Sequence, residues 1–372
     1  MAEKSASSRG PVAIVGGGLG GLHAARLLAA ARVPFLLLEA RSRLGGRILS
    51  EDGFDLGPAW FWPDMQPSIA ALVGELGLAA FPQYAQGDVL AEQAPTLTST
   101  LAPARYPGFG QMASSFRIAG GIAALVAALA KDLPEDRLRL GVTVTGAALR
   151  DEGGRLTLGG SGDAGTMVEA RAVLFALPPR LIEKTIAFAP ALSPDLRGMW
   201  RATPTWMAPH AKFLAVYAKP FWRGMGLCGT AQSSVGPMVE IHDASAVPER
   251  EGGAALFGFV GVPASARARV GETVLRQHCL AQFARLFGAQ AETPLATRFK
   301  DWAADPFTAT ADDGEATGHP EAVRRPWFDA PWSARAVMAG SETAPVHPGY
   351  LEGALLAAEA AVARLDEGGA LS

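Results

Sequence analysis

The strongest constraint on the fold is a short apolar strand that runs directly into a glycine-rich turn, V-A-I-V-G-G-G-L-G-G at residues 12–21. Gly16, Gly18 and Gly21 fit the G-x-G-x-x-G spacing, and an apolar helical stretch follows. In this motif the first glycine permits the tight turn, the second leaves room for a pyrophosphate, and the third lets helix and strand approach closely. The spacing also occurs in ordinary glycine turns, so its context decides whether it marks a Rossmann-like dinucleotide site.

That context is a second apolar strand that ends in an acid. Residues 35–38 precede Glu39, at about the separation from the glycine turn that is typical of a ribose-binding acid. The helix N-terminus after the turn offers unpaired N–H groups and partial positive charge to an anion. A dinucleotide is therefore the predicted ligand of this region.

The residues after Glu39 bear on which dinucleotide it is. Residues 40–47 read A-R-S-R-L-G-G-R, and a nicotinamide enzyme has no evident use for a glycine pair and an arginine there. Arg41 and Arg43 could hold a 2′-phosphate, but Glu39 beside them would repel it. A basic loop at a sheet edge is the alternative interpretation.

With these motifs the chain resembles the FAD-dependent amine oxidase family, which includes monoamine, polyamine and L-amino-acid oxidases. The resemblance extends from residue 11 to residue 366. It implies that Gly45, Gly46 and Arg47 line the diphosphate and ribityl part of FAD, and Arg41 is assigned to the same site. It also implies noncovalent FAD, because Ala311 replaces the cysteine that tethers the flavin in some relatives.

A candidate catalytic lysine opens residues 212–222, K-F-L-A-V-Y-A-K-P-F-W. Both faces of this segment are apolar, as in a buried strand. Lys212 must therefore lie at an exposed strand end or find a polar partner, since an unpaired buried ammonium is costly. Relatives carry a lysine at this point of a similar segment, bonded through water to flavin N5, which implies that Lys212 assists reoxidation by oxygen.

Two later segments resemble further parts of the flavin site. Residues 300–307 resemble a stretch that runs up to the flavin, which implies that Trp302 contacts the ring, although core packing is an alternative. Residues 337–353 match the closing A-G-x-E-T…G-Y-x-E-G signature. The resemblance assigns Gly340 and Glu342 to the cofactor, and places the Val144 backbone against the adenine.

On the substrate side, the resemblance places Tyr350 as one wall of an aromatic cage that would favour a polarised or cationic amine. The tyrosine expected as the second wall is missing, and its position falls on Asp312 within two residues. Asp312 could anchor an ammonium or be solvated. A second wall from Trp60, Trp62 or Phe307 is possible, and His347 could act as a base or merely pack.

Composition argues against several other classes. The net charge of −3 over 372 residues gives no indication of a basic surface that would bind nucleic acid. Cys228 and Cys279 are too few for a disulfide framework, and no His, Cys or acid cluster has metal-ligand spacing. No apolar run is long enough to cross a bilayer, and residues 1–11 lack the apolar segment of a signal peptide. We therefore expect a cytoplasmic protein without a metal.

The fold class that these observations predict is α/β. We expect a two-domain GR2-type flavoprotein, with a Rossmann-like FAD-binding domain and an α+β substrate domain that contains a mixed sheet. The predicted FAD-binding domain comprises residues 10–80, 116–180 and 334–367, and the substrate-binding domain residues 81–115 and 181–333. The connection between residues 78 and 120 is shorter than the family pattern. This predicts a compact substrate domain whose access route is wider, or is completed in a homodimer or by a partner subunit.

The resemblance implies the reaction as well. The expected activity is oxidation of a C–N bond of an amine or amino acid to an imine, with hydride transfer to flavin N5 and reoxidation by O2 to H2O2. Two alternatives stay open at this level. One is a C–C desaturase or dehydrogenase similar to carotenoid desaturases or protoporphyrinogen oxidase, which share the FAD motifs. The other is a partner-dependent tailoring flavoprotein.

Overall fold

The computed structural model describes residues 10–93, 104–106, 114–150, 156–161, 167–247, 253–314, 318–323 and 325–371. Part of the segment predicted for the substrate domain, residues 94–103 and 107–113, lies outside the described residues. The helices are α1 (Leu19–Ala30), α2 (Pro67–Glu75), α3 (Ala123–Lys131), α4 (Pro179–Thr185), α5 (Pro194–Ala202), α6 (Phe221–Gly224), α7 (Ala264–Val270), α8 (Glu272–Phe287) and α9 (Leu351–Glu367).

The strands in the first half of the chain are β1 (Val12–Val15), β2 (Phe35–Glu39), β3 (Ser50–Glu51), β4 (Phe54–Asp55), β5 (Ala80–Pro82), β6 (Asp88–Glu92), β7 (Ala104–Tyr106), β8 (Phe116–Ile118), β9 (Leu138–Leu140), β10 (Thr143–Leu149), β11 (Leu156–Ser161), β12 (Met167–Ala170) and β13 (Ala172–Phe175). The remaining strands are β14 (Ala187–Ala189), β15 (Ala211–Tyr217), β16 (Leu227–Ser233), β17 (Met238–Asp243), β18 (Ala254–Val260), β19 (Ala296–Asp301) and β20 (Ala336–Met338).

A five-stranded parallel sheet forms the dinucleotide-binding part, in the order β20-β13-β1-β2-β9. Its central strand is buried on both faces, which explains its continuous apolar sequence. Val12 and Ile14 join the core that contains α1 and α9, whereas Ala13 and Val15 join the opposite core. This sheet confirms the Rossmann-like prediction.

The larger sheet has seven strands in the order β19-β15-β18-β17-β16-β6-β7. The pair β16–β6 is parallel and the other pairs are antiparallel, so the predicted mixed sheet is present. Every residue of β15 is buried. Phe213 packs with Phe283 of α8 on one face, and Leu214 packs with Phe257 on the other.

Three smaller sheets complete the described fold. One has four strands in the order β12-β11-β10-β14, and the pairs β3–β4 and β5–β8 form two more. Strand β1 ends between two neighbours that come from different crossovers, which is the position where open α/β sheets bind ligands. A cavity extends from the end of β1 to the large sheet. Lys212, the second residue of β15, lies on its wall.

Candidate active site

The turn between β1 and α1 is tied to the end of β2 by a backbone bond and by one carboxylate. The N–H of Gly16 donates to the carbonyl of Leu38 at 2.8 Å. The buried Glu39 carboxylate accepts the N–H of Gly17 at 2.7 Å and that of Arg41 at 2.8 Å. Glu39 also lies on the cavity wall, and its role toward a ribose stays a prediction.

A second glycine pair brings another backbone segment against this turn. Gly45 has φ +100°, in the region that favours glycine, and its N–H donates to the carbonyl of Gly17 at 2.8 Å. A Cβ on Gly46 would lie 3.2 Å from the Cα of Gly18. Helix α1 begins after Gly18 without a side-chain cap, so its first N–H groups remain available to an anion. This cradle fits a diphosphate.

Arg41 is held by groups from residues 305–308. Its guanidinium donates to Asp305 at 2.7 Å and to the hydroxyl of Thr308 at 2.9 Å. The ring of Phe307 lies against the same guanidinium, with 5.4 Å between ring centroid and Cζ. Phe307 therefore sits at the Glu39 end of the cavity, which favours a role beside the cofactor over the substrate wall suggested by the sequence.

Arg47 forms the central ion pair of the site. Its guanidinium donates to both carboxylate oxygens of Glu342, at 2.5 and 3.0 Å, and to the Ser341 hydroxyl at 3.0 Å. It also donates to the carbonyl of Trp206 at 3.0 Å. Glu342 is fully buried, and its carboxylate is paired with Arg47. This acid therefore lies behind Arg47 and is not part of the cavity wall.

One cavity of about 470 Å³ joins the dinucleotide cradle to the large sheet. The sequence-predicted residues on its wall are Gly16, Gly18, Glu39, Arg41, Gly45, Gly46, Arg47, Trp60, Trp62, Lys212, Trp302, Phe307, Gly340 and Tyr350. The remaining predicted residues lie elsewhere: Gly21, Val144, Asp312, Glu342 and His347. The cavity thus connects a dinucleotide-type cradle with a lysine and several aromatic rings.

Lys212 has found polar partners within the apolar strand. Its ammonium donates to the carbonyls of Gly57 at 2.7 Å and Asp55 at 3.2 Å. Its Nζ also lies 4.2 Å from the ring centroid of Phe257 and 5.2 Å from that of Phe259. Burial lowers the pKa of Lys212 to about 7, although the nearby carboxylate of Asp55 acts in the opposite direction. The same burial raises the pKa of Asp55.

Two tryptophans extend the wall near Lys212. The indole of Trp302 is buried and donates to the carbonyl of Leu56 at 3.0 Å. Trp60 donates from its indole to Gln83 at 2.8 Å, and its ring lies edge-on to His242 with 4.8 Å between centroids. Both indole N–H groups are therefore satisfied by protein, which leaves ring surface to line the cavity.

Tyr350 is the residue before α9 and sits among aromatic rings. Trp62 meets it edge-on at 6.2 Å, and His347 meets it edge-on at 6.1 Å. Burial raises the pKa of Tyr350, so the phenol is neutral. The sequence did not single out Trp206, which also lines the cavity, because no local pattern marks it. His319 lies stacked between Trp206 and Tyr350.

Two other predicted residues lie away from these rings. Asp312 is exposed, and its carbonyl accepts a hydrogen bond from Arg180 at 3.2 Å. This exposed position, away from the cavity wall, is compatible with the solvated alternative, and a role toward substrate stays a prediction. Val144 is buried in β10 opposite Gly160. Its backbone contact to an adenine stays a prediction.

A further acid on the cavity wall was missed at the sequence level. Glu240 lies in β17, and its carboxylate contacts the Nε2 of His242 at 2.6 Å. That contact lowers the pKa of Glu240. The signal was present as the E-I-H tripeptide, because residues two apart in a strand share a face.

The described residues include no group of three or more His, Cys, Asp or Glu side chains that could hold a metal ion. No helix in the same ranges has the length and apolar character needed to span a membrane.

Fold and site together define a two-domain flavoprotein of the α/β class. The profile of the family described as Flavin containing amine oxidoreductase matches residues 87–366, and that of the NAD(P)-binding Rossmann-like domain matches residues 14–76. The chain belongs to the flavin-containing amine oxidoreductase family. The cofactor that this family and this cradle imply is FAD, as the sequence predicted.

Comparisons with individual proteins agree with this membership. AofH of Mycobacterium tuberculosis, which carries the name flavin-containing monoamine oxidase, is 30% identical over 235 residues, 62% of this chain and 45% of that protein. A solved putrescine oxidase bound to putrescine covers 96% of this chain and 99% of its own, with a TM-score of 0.79 and 21% identity. A cyclohexylamine oxidase from Brevibacterium oxydans covers 97% and 99%, with a TM-score of 0.77 and 19% identity. The chain spans about half the length of the curated monoamine oxidases that it matches over 62–64% of its own sequence.

Proposed function

We propose that the protein is an FAD-dependent oxidoreductase that oxidises the C–N bond of a small-molecule amine to an imine. The observation that carries this proposal is the continuous cavity that runs from the dinucleotide cradle to Lys212 and the aromatic rings. In this proposal the chain is divided into an FAD-binding and a substrate-binding domain at the boundaries predicted from the sequence. Whether a homodimer or a partner subunit completes the access route stays part of the proposal.

The residues of the cradle fit FAD and would hold it without a covalent bond. The N–H groups that follow Gly18 would bind the diphosphate, and Glu39 a ribose hydroxyl. Arg47 would line the ribityl part, since it is fixed by Glu342 at the cavity wall. When bound, FAD supplies hydride acceptance at N5 and electron transfer to O2, which yields H2O2.

The chain's own groups would hold the substrate amine and keep it neutral. Aromatic faces such as that of Tyr350 attract a polarised nitrogen. An ammonium that enters a largely apolar wall loses hydration, which lowers its pKa and favours the neutral amine with its free lone pair. No general base is required for this step, so His347 need not supply one.

Glu240 suggests a substrate with a second cationic group. Glu240 lines the cavity beside Val239, and its carboxylate contacts the Nε2 of His242 at 2.6 Å. A negative charge at that place would attract a distal ammonium. The similar solved structure that holds putrescine is named for a diamine substrate, which supports testing diamines beside monoamines.

The two alternative functions make different predictions. A C–C desaturase needs an apolar pocket, and the cavity wall instead carries Lys212 and Glu240. Aerobic incubation with amines is expected to release one H2O2 per aldehyde formed after imine hydrolysis. A desaturase would release none with any amine, and a partner-dependent flavoprotein would do so only after addition of its partner.

We expect Lys212→Met to slow reoxidation of the bound flavin about 10²-fold, with a much smaller effect on anaerobic reduction by amine. The charge of Lys212 would stabilise the negative charge that develops as oxygen is reduced. Since the pKa of Lys212 is about 7, the cation is lost as pH rises through that value. The reoxidation rate of the wild type should fall over the same range, while that of the variant should stay flat.

Stopped-flow absorbance measures both half-reactions separately, and Lys219→Met is a matched control. Lys219 lies seven residues further along the same segment and is exposed. The control should reoxidise at the wild-type rate with the wild-type pH profile. Equal slowing of both half-reactions by Lys212→Met would count against the proposed role.

A further inference from the structure

His319 lies in the middle of a stack of three rings. Its ring centroid is 3.3 Å from that of Trp206, at an interplanar angle of 25°, and 4.5 Å from that of Tyr350, at 11°. Trp206 and Tyr350 line the cavity, whereas His319 is not on its wall. The two outer rings are therefore separated by the thickness of one planar group, and that group is a side chain of the protein itself.

The Trp206 wall of this slot is fixed by groups other than His319. The N–H of Trp206 donates to Glu342 at 3.4 Å, and its carbonyl accepts from Arg47 at 3.0 Å. Gly349 has φ +86°, and a Cβ there would lie 2.7 Å from the Cβ of Trp206. The backbone beside Tyr350 thus packs directly on the tryptophan, which sets the width of the slot.

The occupant of the slot lies outside the helices and strands of the described fold. His319 lies in residues 318–323, which have no helix or strand. Its Nδ1 is buried and has no hydrogen-bond partner among the described residues. Burial lowers the pKa of His319, against a backbone hydrogen bond with Pro348, so the ring stacks as a neutral imidazole at neutral pH. A buried unpaired nitrogen costs free energy, which hydration recovers when the ring leaves.

Trp206 and Tyr350 both line the cavity, and aromatic faces attract a cation or a polarised amine through their ring quadrupoles. We propose that His319 occupies the amine slot of this cavity, and that a substrate amine enters between Trp206 and Tyr350 only when the imidazole swings out. The identity of the ligand as an amine rests on the proposed function. His319 then lowers the apparent affinity for amines by the fraction of molecules in which the slot is open.

The test uses tert-butylamine, whose nitrogen-bearing carbon has no hydrogen, so that it cannot be oxidised to an imine. Isothermal titration of the flavin-loaded protein gives its dissociation constant. His319→Ala is expected to bind it about tenfold more tightly than the wild type. Adding Trp206→Leu should remove that gain, because one of the two faces is lost.

His278→Ala is the matched control, because His278 is an exposed histidine on α8, and its affinity should equal that of the wild type. Unchanged affinity in His319→Ala, or a gain that survives Trp206→Leu, would overturn the proposal.

A second measurement needs no variant. Ring protons of His319, flanked by two aromatic faces, should resonate well upfield of the other five histidines. They should move toward the position of an exposed histidine as tert-butylamine is added. Signals that stay in place at saturating tert-butylamine would contradict displacement. Since neither readout involves turnover, a slot that binds this amine in a protein that oxidises none would refute the proposed function alone.

Discussion

Gly21→Ala is expected to destabilise the protein by about 3 kcal/mol or more and to abolish retention of FAD. Gly21 lies in the first turn of α1, and a Cβ there would fall far inside van der Waals contact of the carbonyl of Gly16. That oxygen belongs to rigid backbone at the end of β1, so the helix would have to move away. Such a shift carries the uncapped N–H groups of α1 away from the diphosphate cradle.

Urea unfolding and the ratio of flavin to protein absorbance measure these two effects. Gly74→Ala is the matched control, because a Cβ at that position in α2 meets nothing within 4 Å. That variant should be unchanged or more stable by up to about 1 kcal/mol and should retain its flavin. A Gly21→Ala variant with normal flavin content would show that the helix does not carry the cofactor site.

Arg47→Met is expected to lower the free energy of unfolding by about 3–5 kcal/mol. The substitution keeps an unbranched apolar stem but leaves the fully buried Glu342 carboxylate without its cation. Only weaker donors remain, the hydroxyl of Ser341 at 3.0 Å and the N–H of Trp206 at 3.4 Å. Flavin retention should fall as well, because Arg47 is part of the cavity wall.

As a control, Arg276→Met breaks an ion pair with Glu272 within α8 that is partly exposed to solvent. It should cost less than about 1 kcal/mol and leave the flavin in place. If the two variants lost similar free energy of unfolding and similar amounts of flavin, the Arg47–Glu342 pair would contribute no more to stability than a surface pair. That result would contradict its proposed role in the site.

Much of the fold could be predicted from local sequence. The apolar runs that became β1 and β2, joined by the glycine turn, identify a parallel sheet because strands covered on both faces lose their alternation. The two apolar faces of β15 likewise marked a buried strand, and Lys212 needed a polar partner wherever it lay. The identity of that partner could not be read, because Gly57 lies 155 residues away along the chain.

The substrate side shows the same limit more strongly. Sequence reasoning sought the second aromatic wall among residues near known motifs, such as Trp60 and Phe307. Trp206 reaches the cavity only through long-range packing on Arg47 and Gly349. No local pattern encodes such a contact. Glu240 differs, because its spacing of two residues from His242 in a strand predicts that the two side chains share a face.

The most direct test of the proposed function is an anaerobic titration of the flavin-loaded protein with a panel of monoamines, diamines and amino acids. The oxidised-flavin absorbance should bleach with at least one class of amine, with an imine or its aldehyde formed in equal amount. Admission of O2 should restore the spectrum and yield H2O2. A normal flavin spectrum that no member of the panel bleaches would contradict amine oxidation by this chain acting alone.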